Sequence, residues 1–418
     1  MHVLLFIIYT SVLSLLISRS GFLLKSGLSK KVLVSLFLLY SLVGCAHVLI
    51  AFNFFPNHGD IWEMFNYSVR LKQQMLFDYP GFVKEFFPDR FSIDFVGAHM
   101  GWSNYQMQGM VLMQVFFNFF SFDNIYINTL LFCFLALYGK VAFYRMLCER
   151  YPGQYFITFL IVFLIPSVVF WTAVIHKEGV LFSCLGILLY CLQKLLIKPN
   201  GFVKSLTVVL MLSIIFVTRK VVLATLIPAL VIWWAAERTT IKKKSFVLGI
   251  FFTFAACFIL LGFLNPAWSL LHLLSEKQHE FLQLKGGSGI FIPRLDDNVQ
   301  SFARAFPAAL LNGLFMPLPG VGGKTIYILF SLELLAMWVL IAWLLFKSRP
   351  IWEDGFKTGF FLFALTACLI IGYTVPFAGA IIRYRSIFYP FLLLPFLSGL
   401  NHDVHTLNAR TGKVDITH

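Results

Sequence analysis

The sequence has 418 residues, of which 59% are hydrophobic and only 12% are charged, and its formal net charge is +14. Soluble domains carry about 25% charged residues, and a chain of this size cannot hide so large an apolar fraction in a soluble core. The composition therefore excludes a cytosolic enzyme, a secreted domain, a nucleic-acid-binding protein and a disordered chain. It predicts an all-α fold, a polytopic bundle of transmembrane helices.

Apolar runs of about 17 to 25 residues can cross a bilayer as helices. About eleven runs in the sequence approach this length, and we predict spans at 2–18, 32–52, 125–146, 155–175, 180–197, 205–217, 221–236, 245–264, 325–346, 358–375 and 386–399. The run 107–121 is apolar but shorter, and we predict that it lies in the outer membrane interface. If it crosses instead, the bundle has twelve spans.

Basic residues concentrate in the loops that this arrangement places on one side. The densest cluster contains Arg238 and Lys242–Lys244. Because Lys and Arg mark cytoplasmic loops, we predict that the N-terminus is outside and that the tail 400–418 is cytoplasmic. The whole chain, 1–418, is then one integral membrane domain. Its two long extracytoplasmic loops are 53–124, which includes the interfacial helix, and 265–324.

Three short basic interruptions fall on the predicted outer side, against this bias. They contain His176 and Lys177, Arg219 and Lys220, and Arg383 and Arg385. Ionisable groups placed against the bias at a membrane boundary indicate a functional site, and Arg presents a planar fork to phosphate. We therefore predict a phosphate or diphosphate site. The alternatives are a self-satisfied Lys177–Glu178 pair and cations that snorkel to lipid head groups.

The first outer loop is the most acidic part of this basic protein. Asp60, Glu63 and Asp94 are its candidate catalytic residues. A carboxylate there can act as a general base or hold a divalent cation beside a phosphate. Asp60 and Glu63 lie three residues apart and share one face if the segment is helical. The alternative is a solvated loop with surface ion pairs. No protein metal site is predicted, and Mg²⁺ or Mn²⁺ is left open as a cofactor.

Four scattered patches resemble a known group of proteins. These are Gly59-Asp60, Pro166-Ser167 with Phe170-Trp171 and Lys177-Glu178, Arg219, and Arg383-Tyr384-Arg385 with Pro390. Together they resemble bacterial polytopic enzymes that build envelope polysaccharides, namely GT-C-type glycosyltransferases and O-antigen-polymerase-like membrane proteins. The resemblance covers about half of the chain, and no patch is a strict signature.

The resemblance implies transfer of a sugar from a polyprenyl-phosphate or polyprenyl-diphosphate donor at the outer membrane face. Asp60, then Glu63 or Asp94, would deprotonate the acceptor hydroxyl. Lys177, Arg219, Arg383 and Arg385 would neutralise the leaving phosphate. The implied partners are the lipid-linked donor, a glycan or lipid-linked acceptor, and membrane lipids, with no nucleic acid.

The sequence departs from the GT-C layout because two predicted spans, not one, precede the acidic loop, and no paired acidic motif is present. Polymerisation therefore stays open beside single-sugar transfer. Two other classes also remain: a lipid-linked-sugar flippase or transporter, and a non-catalytic membrane assembly protein.

Overall fold

The computed structural model describes residues 2–54, 59–86, 105–238, 249–254, 269–284, 287–321, 325–347 and 354–397, together with 256, 260 and 265. Within these ranges the chain is almost entirely helical. The β contact found there is an isolated antiparallel bridge between Gly289 and Phe377.

The described residues form eighteen α-helices that have ranges here. In chain order they are α1 (His2–Arg19), α2 (Gly21–Leu24), α3 (Lys30–Phe54), α4 (Gly59–Phe77), α5 (Tyr79–Phe86), α6 (Tyr105–Ser121), α7 (Ile125–Arg150), α8 (Tyr155–Phe163), α9 (Pro166–Thr172), α10 (Lys177–Ile197), α11 (Phe202–Thr218), α12 (Lys220–Arg238), α13 (Leu270–Leu282), α14 (Val299–Phe315), α15 (Thr325–Lys347), α16 (Gly355–Thr374), α17 (Ala378–Ser386) and α18 (Tyr389–Leu393).

Six helices in the described part of the chain are long and apolar enough to cross a membrane: α3, α7, α10, α12, α15 and α16. The bent pair α8 and α9 makes a seventh if it counts as one span, and α1 and α11 are shorter apolar helices. The predicted helical, membrane-like bundle is confirmed. Its count of eleven spans stays a prediction.

One predicted span takes a different form. Within the predicted span 386–399, the described residues 386–397 do not form a single long helix; α18 has five residues and continues into the 3₁₀ turn Leu394–Phe396. Pro390 and Pro395 lie in this segment, and each removes a backbone donor and disfavours a continuous helix. Most of the predicted span 245–264 and all of the tail 400–418 lie outside the described residues. The apolar run 107–121 lies within α6.

The chain forms two compact units. The first unit contains Met1–Met146 and Val168–Lys220, and the second contains Leu147–Ser167 and Val221–His418. Each unit has a helix crossing that only glycine permits. A Cβ on Gly186 would lie 2.1 Å from the carbonyl oxygen of Gly139 in the first unit. A Cβ on Gly372 would lie 1.9 Å from the carbonyl oxygen of Ala309 in the second unit.

Candidate functional site

The central feature of the first unit is the sharp turn between α9 and α10. His176 caps the N-terminus of α10 with extended backbone, at φ −143° and ψ 156°. Lys177 and Glu178 then form the first turn of that helix. The side chain of Glu178 is completely buried and that of His176 is 7% exposed. The polar triplet is therefore held inside the protein, although it interrupts an apolar stretch of sequence.

The turn lies beside the middle of α7. The Cys133 thiol donates to the carbonyl oxygen of Ala173 at 3.0 Å, and Ile175 packs with Phe132 and Ala136. Phe132 is seven residues into α7, which is about 10 Å from the start of that helix. The turn therefore packs about two helical turns along α7 from the first residue of that helix.

Glu178 joins two segments of the chain. One carboxylate oxygen lies 2.7 Å from Nδ1 of His176. The other accepts a hydrogen bond of 2.8 Å from the Arg219 guanidinium, 41 residues further along the chain. The Arg219 side chain is 17% exposed. A buried carboxylate requires such compensation, because an unpaired charge is very costly in a low-dielectric interior.

The helical hairpin explains why these segments meet. α10 and α11 run antiparallel and are joined by a short connection, so the end of α11 returns to the start of α10. Arg219 is the C-cap residue of α11, and its extended backbone separates that helix from α12. The two basic interruptions seen in the sequence are therefore one cluster in space.

Two further lysines flank the Glu178–Arg219 pair in sequence. Lys177 is half-buried, and Lys220 is exposed with its ammonium 5.9 Å from the ring centre of Phe216. Lys177, Arg219 and Lys220 are therefore three basic residues within the two segments that the Glu178–Arg219 pair joins. Basic groups gathered at one place favour the binding of an anionic ligand.

The first acidic helix begins close to the same turn. Gly59 adopts φ 70°, a conformation that favours glycine, and α4 starts there. Ile61 and Phe65 of α4 belong to one buried cluster with Val174. Asp60 and Glu63 are exposed on this helix. Asp94, the third predicted acid, lies outside the described residues.

Sequence reasoning missed two residues of this neighbourhood. Lys140 is 1% exposed within α7; its ammonium donates to the carbonyl oxygen of Thr172 at 3.1 Å and lies 4.0 Å from the ring centre of Tyr40. Glu178 was considered only as a partner for Lys177. A lysine inside an apolar run indicates a functional or structural role in the membrane. Lys140 could have been identified from the sequence for this reason.

The third basic interruption belongs to the second unit. Arg385 is 1% exposed and donates to the carbonyl oxygens of Gly313 at 2.9 Å and Met316 at 2.6 Å, and to the Tyr389 hydroxyl at 2.9 Å. Its guanidinium therefore ties the end of α14 to α17 and α18. Arg383 is half-buried and donates to the Tyr384 hydroxyl at 3.1 Å.

A half-buried carboxylate also lies within a predicted span of the second unit. Glu333 of α15 accepts hydrogen bonds from the backbone amide of Ser167 at 3.0 Å and from its hydroxyl at 2.9 Å. Ser167 directly follows Pro166, whose ring leaves it without a backbone donor. The interaction satisfies the amide at the start of α9.

A separate ionic cluster joins three helix ends in the second unit. Arg150 lies 2.7 Å from Glu237 and 3.2 Å from Asp354, and the Tyr151 hydroxyl donates to Asp354 at 2.6 Å. Asp354 also caps α16 by accepting from the amide of Phe356. Burial acts to raise the pKa of Asp354, but Arg150 and the Tyr151 hydroxyl outweigh it and lower that pKa. Three regions that the sequence places on the cytoplasmic side thus meet at one point.

The segment 265–324, which the sequence predicts as the second extracytoplasmic loop, carries a smaller polar cluster. His272 lies 2.6 Å from Asp297, and the Ser275 hydroxyl donates to the other oxygen of the same carboxylate. The Ser275 hydrogen bond lowers the pKa of Asp297, against a smaller opposing effect of burial. The buried side chain of Gln278 fixes α13 by bonding to backbone groups of Pro293, Leu295 and Tyr373. These contacts order the loop.

Within the residues that the structure describes, no three His, Cys, Asp or Glu side chains are grouped closely enough to hold a metal ion. Asp60 and Glu63 therefore belong to no such group. Comparisons with protein-family models, curated proteins and solved structures find no match to this chain. The functional argument consequently depends on the residues themselves.

Proposed function

We propose that the protein is an integral membrane glycosyltransferase or polysaccharide polymerase. It uses a polyprenyl-phosphate-linked or polyprenyl-diphosphate-linked sugar donor at the outer face of a bacterial cytoplasmic membrane, for synthesis of a cell-envelope glycan. The observation that carries the proposal is the meeting of two basic segments around the buried carboxylate of Glu178. The resemblance to GT-C-type and O-antigen-polymerase-like enzymes supports it.

In this proposal the cluster binds the donor phosphate. Lys177, Arg219 and Lys220 supply positive charge, and charge stabilisation of a leaving phosphate is a large part of catalysis when the groups are preorganised. The Glu178–Arg219 pair fixes the position of one of these cations. The polyprenyl chain remains in the lipid, beside apolar helices such as α11, whose Leu206, Val209 and Leu210 are exposed.

In this proposal, α4 provides the carboxylate that acts on the acceptor hydroxyl. Asp60 lies in the first turn of α4, next to Ile61, which packs in the cluster that contains Val174. Asp60, then Glu63 or Asp94, is the acid that the resemblance assigns to the acceptor hydroxyl. The resemblance also leaves Mg²⁺ or Mn²⁺ open, but the described side chains gather no metal-ligand set, so no step is assigned to a metal.

A lipid-linked-sugar transporter is the second candidate, and one observation favours it. Ionisable residues lie within two predicted spans, Lys140 of α7 and Glu333 of α15. Ionisable residues within spans are often part of substrate or ion pathways. Both side chains form hydrogen bonds to backbone groups, and such bonds are also explained by a structural role. A transferase breaks the bond between the sugar and the phosphate of the donor, whereas a transporter leaves that bond intact.

The test compares envelope glycans and lipid-linked precursors in the native host for the deletion strain, the wild type and the double variant Lys177→Gln/Lys220→Gln. Lys30→Gln, which changes an exposed cation of the same unit, is the matched control. The proposal predicts loss of a glycan and accumulation of its precursor in the deletion strain and the double variant, with a normal profile in the control. An unchanged glycan profile in the deletion strain would refute it.

A purified-protein assay then separates the two candidates. The lipid extract of the deletion strain, which contains the accumulated donor, is added to wild-type protein in lipid nanodiscs together with the glycan fraction of the host. A transferase releases polyprenyl phosphate or diphosphate from the donor. The same protein is also reconstituted into sealed vesicles. If the donor crosses the vesicle membrane intact and no polyprenyl phosphate or diphosphate is released in either preparation, the transporter assignment replaces the proposal.

A further inference from the structure

We propose that α14 and the turn after it form a re-entrant segment, which enters the membrane and leaves it on the same side. The exposed apolar face of α14 then contacts the acyl chains of the bilayer. The sequence predicts the whole of 265–324 as an extracytoplasmic loop, whereas this inference places 305–321 among the spans. It lies entirely within the second unit and does not depend on the proposed glycosyl transfer.

The helix α14 packs against the candidate span α16. Near the start of α14, the carbonyl oxygen of Phe302 accepts a hydrogen bond of 2.9 Å from the Tyr373 hydroxyl, at the end of α16. Near the end of α14, a Cβ on Gly313 would lie 2.1 Å from the carbonyl oxygen of Cys368. Cys368 is six residues before the last residue of α16, which is about 9 Å along that helix. The two helices therefore run in opposite directions, and the end of α14 lies beside the interior of the span.

A second candidate span gives the depth of the same helix end. The Trp338 indole of α15 donates to the carbonyl oxygen of Leu314 at 2.9 Å, and its ring stacks on Phe315 with ring centres 4.8 Å apart. Trp338 lies eleven residues into the candidate span Tyr327–Phe346, which is about 17 Å of helix. The hydrocarbon core of a bilayer is about 30 Å thick. The last turn of α14 is therefore level with the middle of α15.

The segment begins and ends on the same side of the second unit. The Tyr373 contact places the start of α14 at the C-terminal end of α16. The start of α15 lies at that end as well, because a Cβ on Gly379, five residues after α16, would lie 2.7 Å from the Tyr327 hydroxyl. Asp354 caps the opposite end of α16, in the cluster on the predicted cytoplasmic side. The nine-residue connection from α14 to α15 can extend over about 30 Å, which is enough for the return.

The carbonyl groups at the end of α14 are bonded as the interior of a membrane requires. A helix leaves its last carbonyls without backbone donors, and lipid offers them no hydrogen bonds. Arg385 donates to the carbonyl oxygens of Gly313 and Met316, at 2.9 Å and 2.6 Å. Trp338 donates to that of Leu314, which lies between them. Side chains of the protein thus replace the water that satisfies an exposed helix end.

The other polar groups of the segment also suit this position. The turn after α14 contains Pro317 and Pro319, which have no backbone N–H to satisfy. The Val321 amide donates to the carbonyl oxygen of Leu318 at 3.0 Å. The charged residue of α14 is Arg304, which lies in its first two turns, where a long side chain can extend to the membrane surface. The deeper part of the segment is therefore free of charged side chains.

The outward face of α14 is apolar and continues the outward face of a candidate span. Its large exposed side chains include Phe306, Leu311 and Phe315. Phe315 stacks on Trp338, so this face adjoins the exposed apolar face of α15, which includes Leu332, Leu335 and Val339. A continuous apolar surface is unfavourable in water. Because the face continues that of a span and reaches the same depth, its occupant is the acyl chains of the bilayer.

The first test uses wild-type protein in lipid nanodiscs that contain a phospholipid with a diazirine at the end of its acyl chain. Illumination labels the side chains that this probe contacts, and trypsin then releases the peptides 295–304, 305–324 and 325–347. The peptide 325–347, from α15, is the internal control. We expect label on 305–324 at Leu311, Phe315 or Leu318, and at least about 10-fold less on 295–304, because the probe lies near the middle of the bilayer. If 325–347 is labelled but 305–324 is not, or if 295–304 is labelled equally, the inference is wrong.

The second test distinguishes a re-entrant helix from a helix that lies flat in the membrane interface. Val299 and Leu311 are similarly exposed in the structure, at 63% and 57%, but only Leu311 is expected to lie in lipid. Modification by a charged maleimide is measured on the peptides 295–304 and 305–324, which contain no native cysteine. In nanodiscs, Leu311→Cys is expected to react at least about 10-fold more slowly than Val299→Cys, because an apolar environment disfavours the reactive thiolate.

Denaturing detergent provides the control for this second test, because the two cysteine variants should react at equal rates once the protein is unfolded. Equal rates in nanodiscs would overturn the inference. Two fast rates would assign α14 to a loop in water, and two slow rates would assign it to the membrane interface.

Discussion

The two units use the same kind of sequence feature in opposite ways. In the first unit, His176 and Arg219 converge on the buried carboxylate of Glu178, which lies between them at hydrogen-bonding distance from both. In the second unit, Arg385 converges on two backbone carbonyls and a tyrosine hydroxyl. Both features are short basic interruptions of apolar sequence. One gathers charges into a cluster, and the other joins helix ends.

The difference shows that a cation in a membrane protein is best interpreted through its acceptors. Two backbone carbonyls and a tyrosine hydroxyl accept hydrogen bonds from the three nitrogens of Arg385, so its contacts favour a structural role. A carboxylate shared between an imidazole and a guanidinium instead holds titratable groups in a defined relation. The predicted phosphate-binding role therefore has stronger support at His176, Lys177, Arg219 and Lys220 than at Arg383 and Arg385.

Removing the shared carboxylate is expected to have the largest effect. Glu178→Ala leaves Arg219 without its acceptor in a buried position, and breaking such a pair costs about 3–5 kcal/mol. Thermal unfolding of the purified protein in detergent measures the change. The double variant Glu178→Ala/Arg219→Met removes both charges and is expected to recover much of the loss. Equal stability of the single and double variants would show that the pair is not coupled.

Arg385 is expected to contribute to the stability of the second unit rather than to the binding of an anion. Arg385→Met leaves the carbonyls of Gly313 and Met316 without this donor, at an expected cost of about 3 kcal/mol. Arg304→Met changes an exposed arginine of α14, the helix that contains Gly313, and should change stability by less than about 0.5 kcal/mol. Equal unfolding temperatures for the two variants would overturn the structural assignment of Arg385.

The close crossing of α14 and α16 at Gly372 provides a second test of the packing in this unit. Gly372→Ala places a methyl group 1.9 Å from the carbonyl oxygen of Ala309, and we expect a loss of about 2 kcal/mol from overpacking. Gly109→Ala in α6 has open space around the new methyl group and should raise stability by about 0.5 kcal/mol. Opposite shifts of the two unfolding temperatures are the expected result, and a tolerated Gly372→Ala would contradict the α14–α16 packing.

The smallest predicted effect is a loss of stability in acid. The pKa of Asp354 is lower in the folded protein than in the unfolded chain, where it is near 3.9. The ionised carboxylate therefore stabilises the fold fully at pH values above about 4. That contribution is lost as the pH falls from about 4 through the lower folded value. Unfolding temperatures from pH 5 to pH 3 should therefore decline more steeply in wild type than in Asp354→Asn. Parallel curves would contradict the shift.

Composition and hydropathy predicted much of the fold. The helices α3, α7, α10, α12 and α16 fall where long apolar runs occur, because a span requires such a run and little else. The broken segment at 386–399 was predicted as one span because its hydropathy masks the effect of Pro390 and Pro395. Hydropathy measures only transfer to lipid, whereas continuity of a helix depends on backbone donors.

The candidate site was predicted only in part. His176, Lys177 and Arg219 are visible because charges in apolar sequence are rare, but the sequence does not show that Glu178 joins them. That contact depends on the return of the α10–α11 hairpin, a property of tertiary packing. The depth of the turn beside Phe132 and Ala136 also depends on packing. The sequence placed Asp60 at the opening of a long loop, whereas the structure has it in the first turn of α4. Its role stays a prediction.

The most direct test of the central claim is the affinity of the first unit's cationic cluster for a lipid phosphate. Binding of undecaprenyl phosphate to the purified full-length protein can be measured by native mass spectrometry from nanodiscs. We expect the double variant Lys177→Gln/Lys220→Gln to lose at least 10-fold in affinity, which is about 1.4 kcal/mol, while Arg304→Met binds as wild type does. Equal binding by all three proteins would contradict the account.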